Sequence, residues 1–214
     1  MAPRSQVFGE TFIGKPGSGK QLALTYDDGP NDPDTPRLLD ILAKHNVKAT
    51  FFLIGNYVRQ RPDIVRRIVA EGHEVGNHTF LHPVLSLCDG TNVRGELEQC
   101  EKALKDAGVP DVKWFRPPFG ARRPATMRIA RAMGYTPVMW SVWCFDWKAT
   151  TADRVEAHAV KGITGGDVIL LHDGGHKRFG TDRSHSVEAT DRILRRYKDR
   201  GFEFVTVGEM MKGA

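Results

Sequence analysis

QLALTYDDGP, Gln21–Pro30, alternates Leu22, Leu24 and Tyr26 with Ala23 and Thr25 and ends in an Asp-Asp-Gly-Pro turn. Period-two alternation closed by Gly and Pro is the pattern of a β-strand. The reading matters because the residues before it, GKPGSGKQ at Gly14–Gln21, nearly spell a phosphate-binding loop, with Gly14, Gly19 and Lys20 at the spacing of G-x-x-x-x-G-K-[ST]. The position that needs a hydroxyl holds Gln21. The order is also inverted, since such a loop follows a strand and opens a helix whose N-terminus faces the phosphates. Residues 1–20 therefore read as a flexible N-terminal lead-in, and residues 21–214 as one domain.

Working outward, apolar runs alternate with helical patterns along the whole chain. Strands are expected at Leu22–Tyr26, Ala49–Leu53, His73–Asn77, Trp114–Arg116, Pro137–Val142, Val168–Leu171 and Phe202–Val205. Helices are expected at Thr35–His45, Pro62–Glu71, Val93–Ala107, Pro124–Met133, Thr151–Lys161 and Val187–Arg200. Pro62 and Pro124 suit first helical turns, and Gly72, Gly108, Gly134, Gly162 and Gly201 stand just past helix ends. This order is that of parallel strands joined by helices. It makes the fold class α/β, a (β/α) barrel of about seven strands, complete or incomplete, with an open doubly wound sheet as the alternative.

Composition narrows the partners. The 214 residues are 40% hydrophobic and 27% charged, which suits an ordinary globular core. A net charge of +5 admits an anionic partner, yet the 31 basic residues are spread along the chain with acidic ones between them. No stripe of basic and aromatic residues marks a nucleic-acid reader, so none is expected. Cys88, Cys100 and Cys144 form no C-x-x-C pair, and the sequence leaves a Cys88–Cys100 bridge open. No apolar stretch approaches the length of a transmembrane helix. The N-terminus MAPRSQVFGETFIG lacks the apolar core of a signal peptide. As written the chain is expected in the cytoplasm, or outside it if a leader was removed. Oligomeric state is not legible.

The residues able to do chemistry sit just after the expected strands: Asp27 and Asp28 after the first, His78 and His82 after the third, Arg116 at the end of the fourth, Asp146 after the fifth, His172 and Asp173 after the sixth. In a parallel barrel these points converge on the C-terminal face, where such folds build active sites. His78 and His82, in HTFLH, are four apart, so on one helical turn both imidazoles can face one metal. A carboxylate from Asp27-Asp28 can complete the set, leaving the other free as a base. The alternative for D-D-G-P is a turn in which Asp caps backbone amides. Two His and one Asp leave positions open for water on a borderline metal such as zinc. His172 in VILLHD is the natural proton donor on another strand, or else a buried His bonded to backbone.

TYDDGP, HTFLH, RPPFG, DW and LLHD, in that order, resemble the polysaccharide deacetylases of the NodB homology group, carbohydrate esterase family four. The resemblance runs from about Gln21 to Met210. It implies a deformed (β/α) barrel and metal-dependent hydrolysis of acetyl groups, usually N-acetyl groups on amino sugars such as chitin oligomers or peptidoglycan N-acetylglucosamine, with O-acetyl groups, as on acetylated xylan, the alternative. It further implies Asp27 as general base, Asp28, His78 and His82 as ligands of Zn2+ (or Co2+ or another divalent metal), and Arg116 as holder of the base. Phe119 would lend its backbone N–H to the oxyanion, where the family often has Tyr. Asp146 would tune His172, the general acid, and Trp147 and Leu170 would line an acetyl pocket. One departure stands out: the family pattern D-x-x-D-W becomes Trp143-Cys144-Phe145-Asp146-Trp147. Trp143 reads either as an aromatic platform for a sugar or as core packing.

Other classes are disfavoured by single features. A metal-free relative acting on cyclic imides or ureides would lack the H-x-x-x-H pair, and a non-catalytic glycan binder would tolerate loss of Asp27 or His172. The discriminating cleft walls are expected in Thr79–Asn92 and Gly174–Ser186, the latter carrying His176, Lys177, Arg178, Arg183 and His185. That basic loop either prefers an anionic glycan or is simply solvated.

Overall fold

In the computed structural model, which describes residues 5–213, β1 (Gln21–Gly29) is the strand on which the others assemble. After it come α1 (Asp34–Lys44), β2 (Thr50–Leu53), α2 (Gly55–Gln60), α3 (Pro62–Ala70), β3 (Glu74–Asn77), α4 (Gly90–Asp106), β4 (Trp114–Phe115) and α5 (Pro124–Ala132). The second half runs β5 (Thr136–Pro137), β6 (Val142–Trp143), α6 (Ala152–Gly162), β7 (Asp167–His172), α7 (Ser184–Lys198), β8 (Glu203–Phe204) and α8 (Val207–Lys212). The sheet order is β5-β4-β3-β2-β1-β7-β6, with β8 pairing β1, and every pairing between these strands is parallel.

Alternation sorts the side chains into two layers. Leu22, Leu24 and Tyr26 of β1 pack outward with Phe51, Leu53, Ile169 and Leu171 against the helices. Ala23 of β1 joins Phe52, Val168 and Leu170 in a separate interior cluster. Both faces of the sheet are therefore covered, as parallel sheets require. The small inward residues Ala23 and Thr25 leave room in the barrel for one large buried side chain, Arg116.

The single strand expected at Pro137–Val142 is two short ones. β5 pairs β4 and β6 pairs β7, so the two ends of the sheet are the two halves of one bent segment. Backbone bonds Val138 N–H to Phe115 O (2.8 Å) and Ser141 N–H to Val168 O (2.9 Å) carry the bend across the opening, which curls the sheet into a deformed barrel. Phe12 of the lead-in fills the gap, donating to Pro137 O at 2.9 Å and accepting from Met139 N–H at 2.8 Å.

Here the lead-in differs from the flexible segment expected. Lys15 N–H donates to Gly166 O (2.8 Å) and Gly17 N–H to Gly165 O (2.7 Å), so the glycine-rich stretch is tied to the turn before β7. Lys20 donates to Arg200 O at 3.0 Å, at the end of β1 remote from Asp27. The phosphate-loop pattern thus opens no helix and faces no site.

Two helices escaped the sequence reading. α2 is only six residues and begins at Gly55, too short for a periodic signal. α8 did carry a signal, the capping box Thr206-Val207-Gly208-Glu209, in which Thr206 and Glu209 bond each other's backbone N–H. The three cysteines are free, so Cys88 and Cys100 do not pair. Among the described residues no helix is long and apolar enough to cross a membrane.

Candidate active site

β1 ends in a device that alternation alone would not produce. In a regular strand Asp27 and Asp28 would point to opposite faces. Asp27 pairs with Phe52 and Gly29 with Leu53, so Asp28 is an extra, bulged residue, and its φ of 72° turns it back. Both carboxylates consequently reach one pocket: Asp27 Oδ2 lies 3.7 Å and Asp28 Oδ1 3.5 Å from His78 Nε2. The chain leaving β7 passes close by, and a Cβ on Gly174 would come within 2.1 Å of the Asp28 carbonyl oxygen. Only glycine fits that crossing.

His78 and His82 meet as expected but by a different route. Residues 78–82 form no helical turn: they are an irregular loop after β3, with Thr79 and His82 in left-handed conformations at φ 70° and 59°. His78 Nδ1 donates to Arg116 O at 2.7 Å, which leaves Nε2 as the lone-pair nitrogen facing Asp28. His82 Nε2 is 3.2 Å from Asp28 Oδ1. One potential ligand atom from each of Asp28, His78 and His82 falls within 4.8 Å of the others, and all three residues are buried. Asp28 Oδ1 has no hydrogen-bond donor. A buried carboxylate oxygen and converging imidazole nitrogens, without a proton donor among them, fit a divalent cation.

Arg116 is fully buried and held by four acceptors. Nη1 donates to Asp27 Oδ1 (2.7 Å) and Thr25 Oγ1 (2.8 Å), Nε to Val138 O (3.2 Å) and Nη2 to Met139 O (3.0 Å). Its guanidinium lies 4.1 Å above the Phe52 ring. The Asp27 carboxylate is thereby fixed from below while its other oxygen stays in the cleft.

Across the cleft, His172 Nδ1 donates to Asp146 Oδ1 at 2.8 Å. Asp146 Oδ2 accepts from the His172 backbone N–H (2.7 Å) and from Ser186 Oγ (2.9 Å), and His185 Nε2 binds the Asp146 carbonyl at 2.8 Å. Burial disfavours the charge on His172, but Asp146, with Asp28 and Asp27 farther off, outweighs it and raises the pKa to about 9. Burial likewise opposes ionisation of Asp146, yet His172, Arg183 and Ser186 hold it below the usual carboxylate range. The next residue, Asp173, faces away: it accepts from Thr35 Oγ1 at 2.5 Å, and burial lifts its pKa to about 7.

Asp27, Asp28, His78, His82 and His172 open on one cleft of 540 Å³, with Arg116 and Asp146 buried behind them. Phe119 lines it in a left-handed conformation, φ 58°, uncommon for a bulky residue. Trp147, 6.0 Å from the His172 ring, and Leu170 form an apolar wall. Trp143 both packs and lines: it stacks on Phe145 at 4.6 Å, leans on Trp147 at 4.8 Å, and still borders the cleft.

Of the basic loop Gly174–Ser186, His176, Lys177 and Arg183 border the cleft, Arg183 with its Nε tied to Gly174 O at 2.6 Å, while His185 braces Asp146. Sequence reading missed Thr25, which accepts from Arg116; Trp140, which lines the cleft; and the role of Ser186. Ser186 is 40 residues from the aspartate it binds, and no local pattern links them.

The family model for polysaccharide deacetylases matches residues 14–138. Peptidoglycan-N-acetylglucosamine deacetylase of Bacillus cereus is 37% identical over 200 residues, spanning 92% of this chain and 91% of its own. Chitooligosaccharide deacetylase of Bradyrhizobium sp. is 39% identical over 193 residues, 86% of this chain and 87% of its own. The crystal structure of the Bc1960 peptidoglycan N-acetylglucosamine deacetylase superposes with a TM-score of 0.85 at 38% identity, covering 94% of this chain and 91% of that one. Its fold and sequence together place the chain in the polysaccharide deacetylase family, to which it belongs.

Proposed function

We propose that this protein removes acetyl groups from N-acetylated glycans, chitin oligomers or peptidoglycan N-acetylglucosamine, by hydrolysis. The observation that carries the reading is the buried Asp28–His78–His82 cluster opening on the same cleft as Asp27 and His172. Relatives acting on both kinds of N-acetylglucosamine polymer support the substrate class.

A divalent cation, Zn2+ by the donor set, would be held by Asp28, His78 and His82, and when bound it supplies an acidified water and polarises the acetyl carbonyl. The chain's own groups do the rest. Asp27, fixed by Arg116, takes the proton of the attacking water. The Phe119 N–H donates to the developing oxyanion. His172, kept protonated by Asp146, gives its Nε2 proton to the leaving amine nitrogen. Trp147 and Leu170 receive the acetyl methyl against an apolar wall.

The test is acetate released from an N-acetylglucosamine oligomer and from peptidoglycan, by protein stripped with a chelator and then reloaded with zinc. Acetate that vanishes on stripping and returns with zinc is the expected result. Zinc-loaded protein that releases acetate from neither substrate sinks the reading.

The pH profile tests the acid separately. A donor must be protonated, so activity falls as pH rises through the His172 pKa. Because Asp146 raises that pKa, Asp146→Asn, which keeps an acceptor for Nδ1 but removes the charge, moves the alkaline limb of kcat/KM to lower pH by about 1–3 units. An alkaline limb in the same place would show that Asp146 does not set the proton donor.

A further inference from the structure

The two histidines of the cluster are oriented by different means. His78 is fixed by its Nδ1 hydrogen bond to Arg116 O at 2.7 Å. His82 has no such anchor: its Nδ1 is buried and, among the described residues, without a hydrogen-bond partner. It also stands on an irregular loop rather than on a strand or helix. Packing holds its ring instead. His176 stacks on it at 4.6 Å with the planes 21° apart, and the edge-on ring of Phe119 lies 4.6 Å away at 75°. His176 and Phe119 also meet edge-to-face at 4.9 Å, so the three rings brace one another. His176 Nδ1 lies 3.7 Å from Asp28 Oδ2, the oxygen opposite the one that faces His78 and His82. The backbone of the bracing residue is itself pinned, because Tyr57 Oη on α2 donates to the carbonyls of Gly175 (3.1 Å) and His176 (3.2 Å).

We propose that His176 is a positioning residue of the metal centre, whose ring stack substitutes for the missing Nδ1 hydrogen bond of His82 and keeps Nε2 aimed at the cation. Partners outside the ligand set fix ring orientation, and their loss commonly costs about 10–100-fold in metal affinity. The inference rests on the metal reading above, and the test separates the two.

Zinc dissociation constants are measured by chelator competition on the full chain, for the original protein, His176→Ala and His176→Phe, alongside thermal unfolding of each metal-free protein. The expected result is affinity about 10–100-fold weaker for His176→Ala, most of it recovered in His176→Phe, and no change in metal-free unfolding. Failure of the original protein to bind zinc would defeat the metal reading itself. Tight zinc in the original and equally tight zinc in His176→Ala would overturn only the positioning role. So would a His176→Phe variant as weak as Ala, because the stack would then be irrelevant. Cobalt substitution covers the last possibility: the visible bands of His176→Ala should stay in place, and bands that move to those of a different ligand set would make His176 a ligand instead.

Discussion

Asp27→Asn lowers the turnover of acetate release by about 10²–10⁴-fold, the usual worth of a positioned general base, while zinc stays bound. The two halves of this result follow from geometry. Asp28, not Asp27, has the oxygen that faces both imidazoles, at 3.5 and 3.2 Å. Asp27 approaches only His78, at 3.7 Å, and its other oxygen is occupied by Arg116 at 2.7 Å. Asparagine keeps an oxygen for Arg116 and cannot take a proton at neutral pH, so the cleft survives without its base. Turnover and zinc content measured on the same preparation check it. Zinc lost together with activity would mean that the two adjacent aspartates have the opposite roles.

Arg116→Leu destabilises the fold by about 3–5 kcal/mol, the cost of removing one partner from a buried ion pair. The guanidinium is fully buried, and its removal leaves Asp27 as an unpaired buried charge and strips the donors from Thr25, Val138 O and Met139 O. The last two lie in the bend that closes the barrel, so sheet closure and active site weaken together. Arg116→Lys recovers only part of the loss, since an ammonium cannot present the planar fork that reaches four acceptors. Urea denaturation of the metal-free proteins measures both, with an unchanged m-value as the control for two-state unfolding. A loss under about 1 kcal/mol for Arg116→Leu would show that the barrel interior readily hydrates or repacks around the vacancy.

The bulge at Asp28 shows where sequence reading reaches its limit. From spacing alone, two adjacent carboxylates on a strand face opposite ways, and only the left-handed turn at Asp28 brings both to the pocket. His78 and His82 illustrate the same limit. Their four-residue spacing pointed to a pair that does converge, but through the wrong local structure, because a loop with two left-handed residues can bring side chains together as well as a helical turn. The stretch Pro137–Val142 was read as one strand because no turn residue marks a break within it, whereas the break depends on which neighbours each half pairs with.

What the sequence by itself determined was most of the order of strands and helices and the clustering of reactive residues at strand ends. Those follow from periodicity and turn chemistry, which are local. Only the tertiary structure decided that Arg116 bridges β1 to the bend, that Ser186 and His185 brace Asp146, and that His176 stacks on His82. Each of these contacts joins residues that lie far apart in the chain, and their meeting depends on how the barrel closes, which no local pattern specifies.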